Sequence, residues 1–475
     1  MKHFLLAALL LSGGFFTSYA QDGYTIKLKF TGLKDQKVFL AHYYGKPLPT
    51  IYKVDSALVD KTGSAVLQTK NKIIGGLYLL ILQDNNRYFE FLLDNGQSLE
   101  IAANAEQLPL GVTFKNSPEN ERFFKYVSFL NNIGERHQKL TAELAKSKSR
   151  KDTAAIQEKF KDLSAEVSAF RKDYIKQHPK TLLTNIFMAL ETPAIPVVNK
   201  PDGTQDTEQW YRDYKNSFWN NVAFDDERLV YTPLLGTKLE EYFTKLVSAM
   251  PDTFNKEADM VISKASASKE VFKYVVHWLT TYAQESDIMG MDAVFVHLVE
   301  TYYMKGDAFW LNKGTLDKYI ERARNIAPNV IGNLAPELKM TKIDGGEIAL
   351  SSVKAKYTLL VFWSPDCGHC VEEVPRIDSA IKAAGLDKKG LKVVGFNTDK
   401  ETEKWKRIIK EKKLDDWIHV HDPERTSNFR KQYDVYGTPS IYLLDEKKII
   451  RGKKLDHNNM VIVVDILEED AASKK

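Results

Sequence analysis

The stretch Tyr357-Thr358-Leu359-Leu360-Val361-Phe362-Trp363-Ser364-Pro365-Asp366-Cys367-Gly368-His369-Cys370 holds both cysteines of the chain. Its first seven residues are aliphatic and aromatic almost without interruption and lack the alternation of a half-solvated strand. Such a run marks a strand covered on both faces, as in a sheet flanked by helices. Ser364-Pro365-Asp366 interrupts it, and a helix is expected from Cys367 to about Ala384. Cys367 then occupies a helix N-terminus, where free backbone N–H groups and the macrodipole favour a thiolate. Cys370 lies one turn further on, facing inward, placed to attack a mixed disulfide formed by Cys367. His369 can add positive charge or a hydrogen bond near the Cys367 sulfur.

Around this junction, from about Gly332, strands and helices alternate. Beyond 357–363 they are a strand at 391–397, a helix at 401–412, a strand near 418–421 and a helix at 424–433. Strands at 440–445 and 448–452 and a final helix near 458–468 complete the series. This order predicts an α/β domain with a mixed sheet over 331–475. Two other readings of the cysteine pair are an inert structural disulfide and half a zinc site. Zinc would need two further ligands. His419 and His421 share a strand face, but ahead of Asp422 they read as strand-end residues before a helix cap. No metal site is therefore expected.

At these residues the chain resembles the thioredoxin-like domains of exported TlpA/ResA-type thiol-disulfide oxidoreductases, within the AhpC/TSA–thioredoxin superfamily. The resemblance spans about 332–469. It rests on Trp363 ahead of the motif, on Cys367-Gly368-His369-Cys370, on Pro375 in the following helix, and on Gly437-Thr438-Pro439 ahead of the Ser440 strand. It implies a thioredoxin fold, a redox-active Cys367–Cys370 disulfide, and a cis Pro439 lying against the sulfurs. By the same likeness, Trp363, Thr438 and Pro439 belong to the substrate face, and Glu373 takes part in proton transfer around Cys370. Gly368-His369 is the dipeptide typical of protein disulfide isomerase. One departure concerns the buried acid that thioredoxin carries in the strand before its motif. Leu360, Val361 and Phe362 are all apolar here, which leaves Glu373 or water to accept the Cys370 proton. The bland reading of Glu373 is an exposed first-turn acid that favours the helix dipole.

Upstream, the period changes twice. Over 21–115 apolar and polar residues alternate, as in Tyr24-Thr25-Ile26-Lys27-Leu28-Lys29-Phe30, with similar runs at 38–43, 65–68, 77–82, 88–93 and 99–103. Turn signals such as Asp84-Asn85-Asn86 and Asp94-Asn95-Gly96 separate them, which predicts an antiparallel β-sandwich. Over 116–330 the spacing is helical, with stripes at Phe123, Phe124, Tyr126 and Leu130 and at Ile156, Phe160, Leu163, Val167 and Phe170. The proline-rich segment 191–209 reads as a long surface loop. Neither region groups residues for catalysis. They resemble the sandwich and helical modules that precede such domains in some Gram-negative exported proteins.

Residues 1–20 have a positive start, an apolar run at 4–11 and Ser18-Tyr19-Ala20, the pattern of a secretory signal cut after Ala20. The apolar run is well short of the ~20 residues a membrane span needs. No cysteine follows the cut, so a lipoprotein anchor is not expected. The expected product is a soluble periplasmic protein with no stable membrane span.

The whole chain has 475 residues, 43% of them hydrophobic and 27% charged, the profile of a folded protein of several domains. Its net charge is only +4 (67 basic against 63 acidic residues), which gives no footprint for nucleic acid. Two cysteines exclude a disulfide scaffold and a four-cysteine zinc site. No cofactor is expected.

The functional expectation is an exported enzyme that exchanges disulfides with protein clients. Cys367 is the nucleophile, Cys370 resolves, His369 tunes the thiolate and Glu373 relays protons. With no third cysteine, electrons must come from or go to a separate redox partner. A thiol peroxidase is one alternative, since Ser364 stands three residues before Cys367 as the peroxiredoxin hydroxyl does, although Leu360 replaces the proline expected upstream. A non-catalytic exported binding protein is the other.

Overall fold

A computed structural model describes residues 22–45 and 50–473; the expected signal segment lies outside them. The chain divides into two compact units, Met1–Leu235 and Gly236–Lys475. The helical stretch is shared between them.

The first unit contains eight strands: β1 (Tyr24–Thr31), β2 (Lys37–Tyr44), β3 (Thr50–Leu58), β4 (Ser64–Thr69), β5 (Gly76–Leu82), β6 (Tyr88–Leu93), β7 (Gln97–Asn104) and β8 (Val112–Lys115). They build two four-stranded sheets, ordered β4-β1-β7-β8 and β3-β2-β5-β6. Alternate residues of both sheets, among them Ile26, Leu28, Leu40, Leu80, Phe89 and Ile101, enter one core, which is how a sandwich buries its inner faces. The pairing is antiparallel except between β1 and β7, which run parallel; the all-antiparallel expectation is corrected there. Two strands were not legible in the sequence. β3 is an edge strand with Ile51, Tyr52, Val54 and Leu58 exposed, so no buried face imprints a pattern on it; β8 is only four residues long.

Helices α1 (Pro118–Lys146), α2 (Arg150–Gln177), α3 (Leu182–Leu190) and α4 (Thr207–Ser217) follow. Ser149 caps α2 by accepting from the Asp152 amide at 3.0 Å. Phe123 and Phe124 of α1 join the sandwich core. The expected proline-rich loop is the connection between α3 and α4.

Helix α5 (Leu234–Glu241) carries the boundary between the units. The second unit continues with α6 (Pro251–Ala265), α7 (Lys269–Glu285), α8 (Met291–Leu298) and α9 (Lys313–Ile326). A seven-stranded sheet follows. Its strands are β9 (Lys339–Lys342), β10 (Glu347–Ala349), β11 (Tyr357–Trp363), β12 (Leu391–Asn397), β13 (Ile418–His421), β14 (Ser440–Asp445) and β15 (Ile450–Lys453), in spatial order β10-β9-β13-β12-β11-β14-β15. β11 pairs parallel with β12 and antiparallel with β14, so the sheet is mixed. Helices α10 (Gly368–Ala383), α11 (Glu403–Glu411), α12 (Phe429–Gln432) and α13 (Asn459–Ser473) complete the unit.

Every residue of β11 is buried, and its alternation feeds two separate cores. Tyr357, Leu359, Val361 and Trp363 pack with Val374, Ile377 and Ile381 of α10, with Trp405 and Ile408 of α11 and with Val464 of α13. Leu360 and Phe362 pack on the opposite face with Phe396, Phe429, Tyr433 and Tyr442. A strand needed by two cores has no solvated face to show, hence its almost unbroken apolar sequence. The β9–β10 hairpin, short and half exposed, was not expected. The helix anticipated over 424–433 is reduced to the single turn of α12.

Candidate active site

The site forms where the central strand gives way to α10. Cys367 is the N-cap of that helix, with φ −86° and ψ 110°, and its Sγ accepts from the Cys370 backbone N–H at 3.1 Å. The sulfur thus takes the place of the Ser, Thr or Asp oxygen that usually satisfies a free N–H at a helix start. Cys367 is partly exposed, Cys370 is fully buried, and both are free thiols. Thr438 and Pro439, joined by a cis peptide bond, lie against this end of the helix. The Cys367 thiol donates to the Thr438 carbonyl at 3.3 Å.

The surroundings drive the two thiols apart. Burial works to raise Cys367, but hydrogen bonds from the Cys370 thiol, the Thr438 hydroxyl and the backbone N–H groups of Cys370 and His369 outweigh it, so its pKa falls below the ordinary thiol value. The Thr438 carbonyl favours the protonated sulfur, whereas the Cys370 thiol, the Thr438 hydroxyl and the amides of the first helical turn favour the thiolate. Cys370, desolvated and donating to Cys367, is pushed up to about 12. The lowered thiol ionises first, while the raised one must lose its proton before it can react.

The sequence-derived residues converge here unequally. Cys367, Cys370, Thr438 and Pro439 meet directly. His369 is exposed; what it contributes to Cys367 is its backbone N–H, and among the described residues its ring makes no hydrogen bond. Trp363 is the correction. It is 0% exposed and packs inward, where a Cβ on Gly395 would come within 3.5 Å of its Nε1. Four residues before Cys367 and at the end of a two-sided strand, it belongs to the core and not to a substrate face.

Glu373 is not the exposed first-turn acid of the bland reading. It is 4% exposed, on the inward stripe of α10 with Cys370, Val374 and Ile377. Its Oε1 accepts from the His457 backbone N–H at 2.8 Å and from His457 Nδ1 at 2.9 Å. Arg376 Nη1 stands 4.0 Å from Oε2. Sequence reasoning missed His457, which precedes α13 and has no motif around it to mark it.

Ser364 donates its hydroxyl to Asp399 and accepts from the Asp366 amide, so it is engaged away from the Cys367 sulfur. His419 is buried with Nε2 on the Leu414 carbonyl at 2.8 Å, a core residue. No group of three metal-ligating side chains occurs among the described residues. Beside Pro439 and Ser440 opens a polar cavity of about 400 Å³ whose walls include Asp292, Arg322, Asp434 and Lys453.

Both parts of the chain match known proteins. Residues 331–453 match the AhpC/TSA family, and residues 24–123 match a domain of unknown function, DUF4369. The thioredoxin-like protein YneN of Bacillus subtilis (strain 168) is 28% identical over 120 residues, which cover 25% of this chain and 68% of that protein. The thiol-disulfide oxidoreductase ResA of Bacillus cereus (strain ZK / E33L) is 24% identical over 116 residues, 24% of this chain; the match spans 64% of that protein, less than two thirds of its length. Among solved structures, a domain of a possible thiol-disulfide isomerase from Cytophaga hutchinsonii is 35% identical. It covers 31% of this chain and 99% of that domain, with a TM-score of 0.29.

Proposed function

We propose that this chain, whose C-terminal domain is a thioredoxin-like oxidoreductase domain of the TlpA/ResA type, exchanges disulfides with protein clients through Cys367 and Cys370. The observation that carries the reading is the split between the sulfurs. Cys367 is lowered at a helix N-cap and partly exposed, whereas Cys370 is fully buried and raised to about 12. In the reducing direction the Cys367 thiolate attacks a client disulfide, forming a mixed disulfide and releasing one client thiolate. Cys370 then gives up its proton and attacks Cys367 Sγ. The Cys367–Cys370 bond forms, the second client thiolate leaves, and two electrons have passed to the client. In the oxidising direction the steps reverse.

Because the chain has no third cysteine, a separate thiol or disulfide partner must restore the starting state. Export to the periplasm is part of the proposal and is supported by the signal pattern at 1–20. No helix among the described residues is long and apolar enough to cross a membrane.

Reduction of a model protein disulfide with dithiothreitol as donor, run beside a peroxide-consumption assay, tests the reading. Disulfide reduction that is lost in Cys367→Ala is the expected outcome. Peroxide consumption without disulfide reduction would point to a peroxidase, and inactivity in both to a binding protein.

A further inference from the structure

We infer that His457 is a positioning residue for the resolving step, holding Glu373 as the proton acceptor for Cys370; the inference rests on the thiol–disulfide reading above. Cys370 must lose a proton in order to attack, yet it is fully buried, so water is a poor acceptor for it. Glu373, three residues on along α10, shares its helix face and is the carboxylate of that buried stripe nearest in sequence. A buried carboxylate without donors is costly, and here the donors come from one residue 84 positions away.

The two contacts of His457 have separable roles. Its backbone N–H ties Glu373 Oε1 to the start of α13, and this tie survives any side-chain replacement. Its Nδ1 adds a second bond to the same oxygen at 2.9 Å and a longer one to Oε2 at 3.1 Å. Oε1 is therefore saturated while Oε2 keeps lone-pair capacity for a proton. The imidazole is also the more open end of the pair. Its side chain is 30% exposed against 5% for Glu373, so it links the buried carboxylate to solvent. Arg376, on the solvent side of α10, also stands within ion-pair reach of Glu373.

The step balances as follows. The Cys370 S–H proton goes to the Glu373 carboxylate, and the Cys370 sulfur bonds to Cys367 Sγ. The bond from Cys367 to the client sulfur breaks, and the client leaves as a thiolate carrying the electron pair.

The test is stopped-flow reaction of the reduced full chain with 5,5′-dithiobis(2-nitrobenzoate), which reports the two sulfurs separately. The first aryl thiolate appears when Cys367 attacks, the second when Cys370 resolves. His457→Leu should leave the first phase within about twofold and slow the second by about tenfold or more. His457→Asn, whose amide can donate where Nδ1 does, should bring the second phase back to within about threefold of the parent. Thermal melts accompany both variants. An unchanged second phase in His457→Leu, an equal slowing of both phases, or failure of Asn to rescue would overturn the inference while leaving the exchange reading intact. Release of only one equivalent by the unmodified chain would overturn both.

Discussion

Lys453, its side chain 7% exposed, reaches with Nζ to Asp292 Oδ2 at 2.5 Å and to Asn329 Oδ1 at 2.6 Å. This contact joins β15, an edge of the seven-stranded sheet, to α8 and to the turn after α9. Burial pulls the Lys453 ammonium downward while Asp292 opposes it. Arg322 of α9 pairs with Asp434 alongside. Lys453 and Asp292 thus fasten α8 to the sheet by charges largely withdrawn from water, next to the cavity beside Pro439.

Removing one partner of such a pair strands the other. Asp292→Ala should destabilise the second unit by about 3–5 kcal/mol, whereas Asp292→Leu combined with Lys453→Met should come near the parent. Chemical denaturation of the three proteins decides. Equal losses in the single and double variants would mean that the pair adds stability in its own right.

The split between the thiols sets an order of labelling. With Cys367 lowered and Cys370 raised to about 12, the thiolate fraction near pH 7 resides on Cys367. Iodoacetamide should therefore modify Cys367 first, and raising the pH should narrow the difference as Cys370 begins to ionise. Peptide mapping reads the outcome, and preferential modification of Cys370 would reverse the assignment. Cys370→Ala keeps the backbone N–H that bonds the Cys367 sulfur and should accumulate mixed disulfides with clients; Cys367→Ala should not.

Glu373→Gln keeps an oxygen for the His457 amide while removing the proton acceptor. Turnover should fall by about a hundredfold, with stability changed by no more than about 1–2 kcal/mol. Steady-state rates together with a melt separate the two effects. Full activity would reduce Glu373 to a strut between α10 and the start of α13.

The redox potential should lie above the roughly −270 mV of thioredoxin and towards the isomerase value of about −180 mV, because whatever stabilises the Cys367 thiolate stabilises the reduced form. The structure separates two routes by which His369 could act. His369→Pro deletes the backbone N–H and should lower the potential by about 30 mV per 1.4 kcal/mol of lost thiolate stabilisation. His369→Ala keeps that N–H and should change it less. Glutathione titration measures both. A large drop in His369→Ala would return the role to the imidazole.

Much of the redox domain was legible because its constraints are local. A strand-length run that is apolar almost throughout settles between two cores, and β11 does so. A CxxC spacing is one helical turn, so a strand followed by that pair dictates an N-cap sulfur and an inward sulfur, as found. Period-two alternation located six of the eight sandwich strands for the same reason: a buried face writes itself into every second residue. An exposed edge such as β3 writes nothing, and the parallel pairing of β1 with β7 is a choice of partner that alternation does not encode. Tertiary structure alone decided which way Trp363 turned, since both faces of its strand are covered. It alone turned the ring of His369 to solvent and left its amide to act. It also brought His457 to Glu373. The helical stripe of Cys370, Val374, Ile377 and Ile381 could have shown Glu373 facing inward, but no local pattern names a partner 84 residues away. That contact exists because α13 packs against the same core as α10 and delivers the residue at its start to the carboxylate.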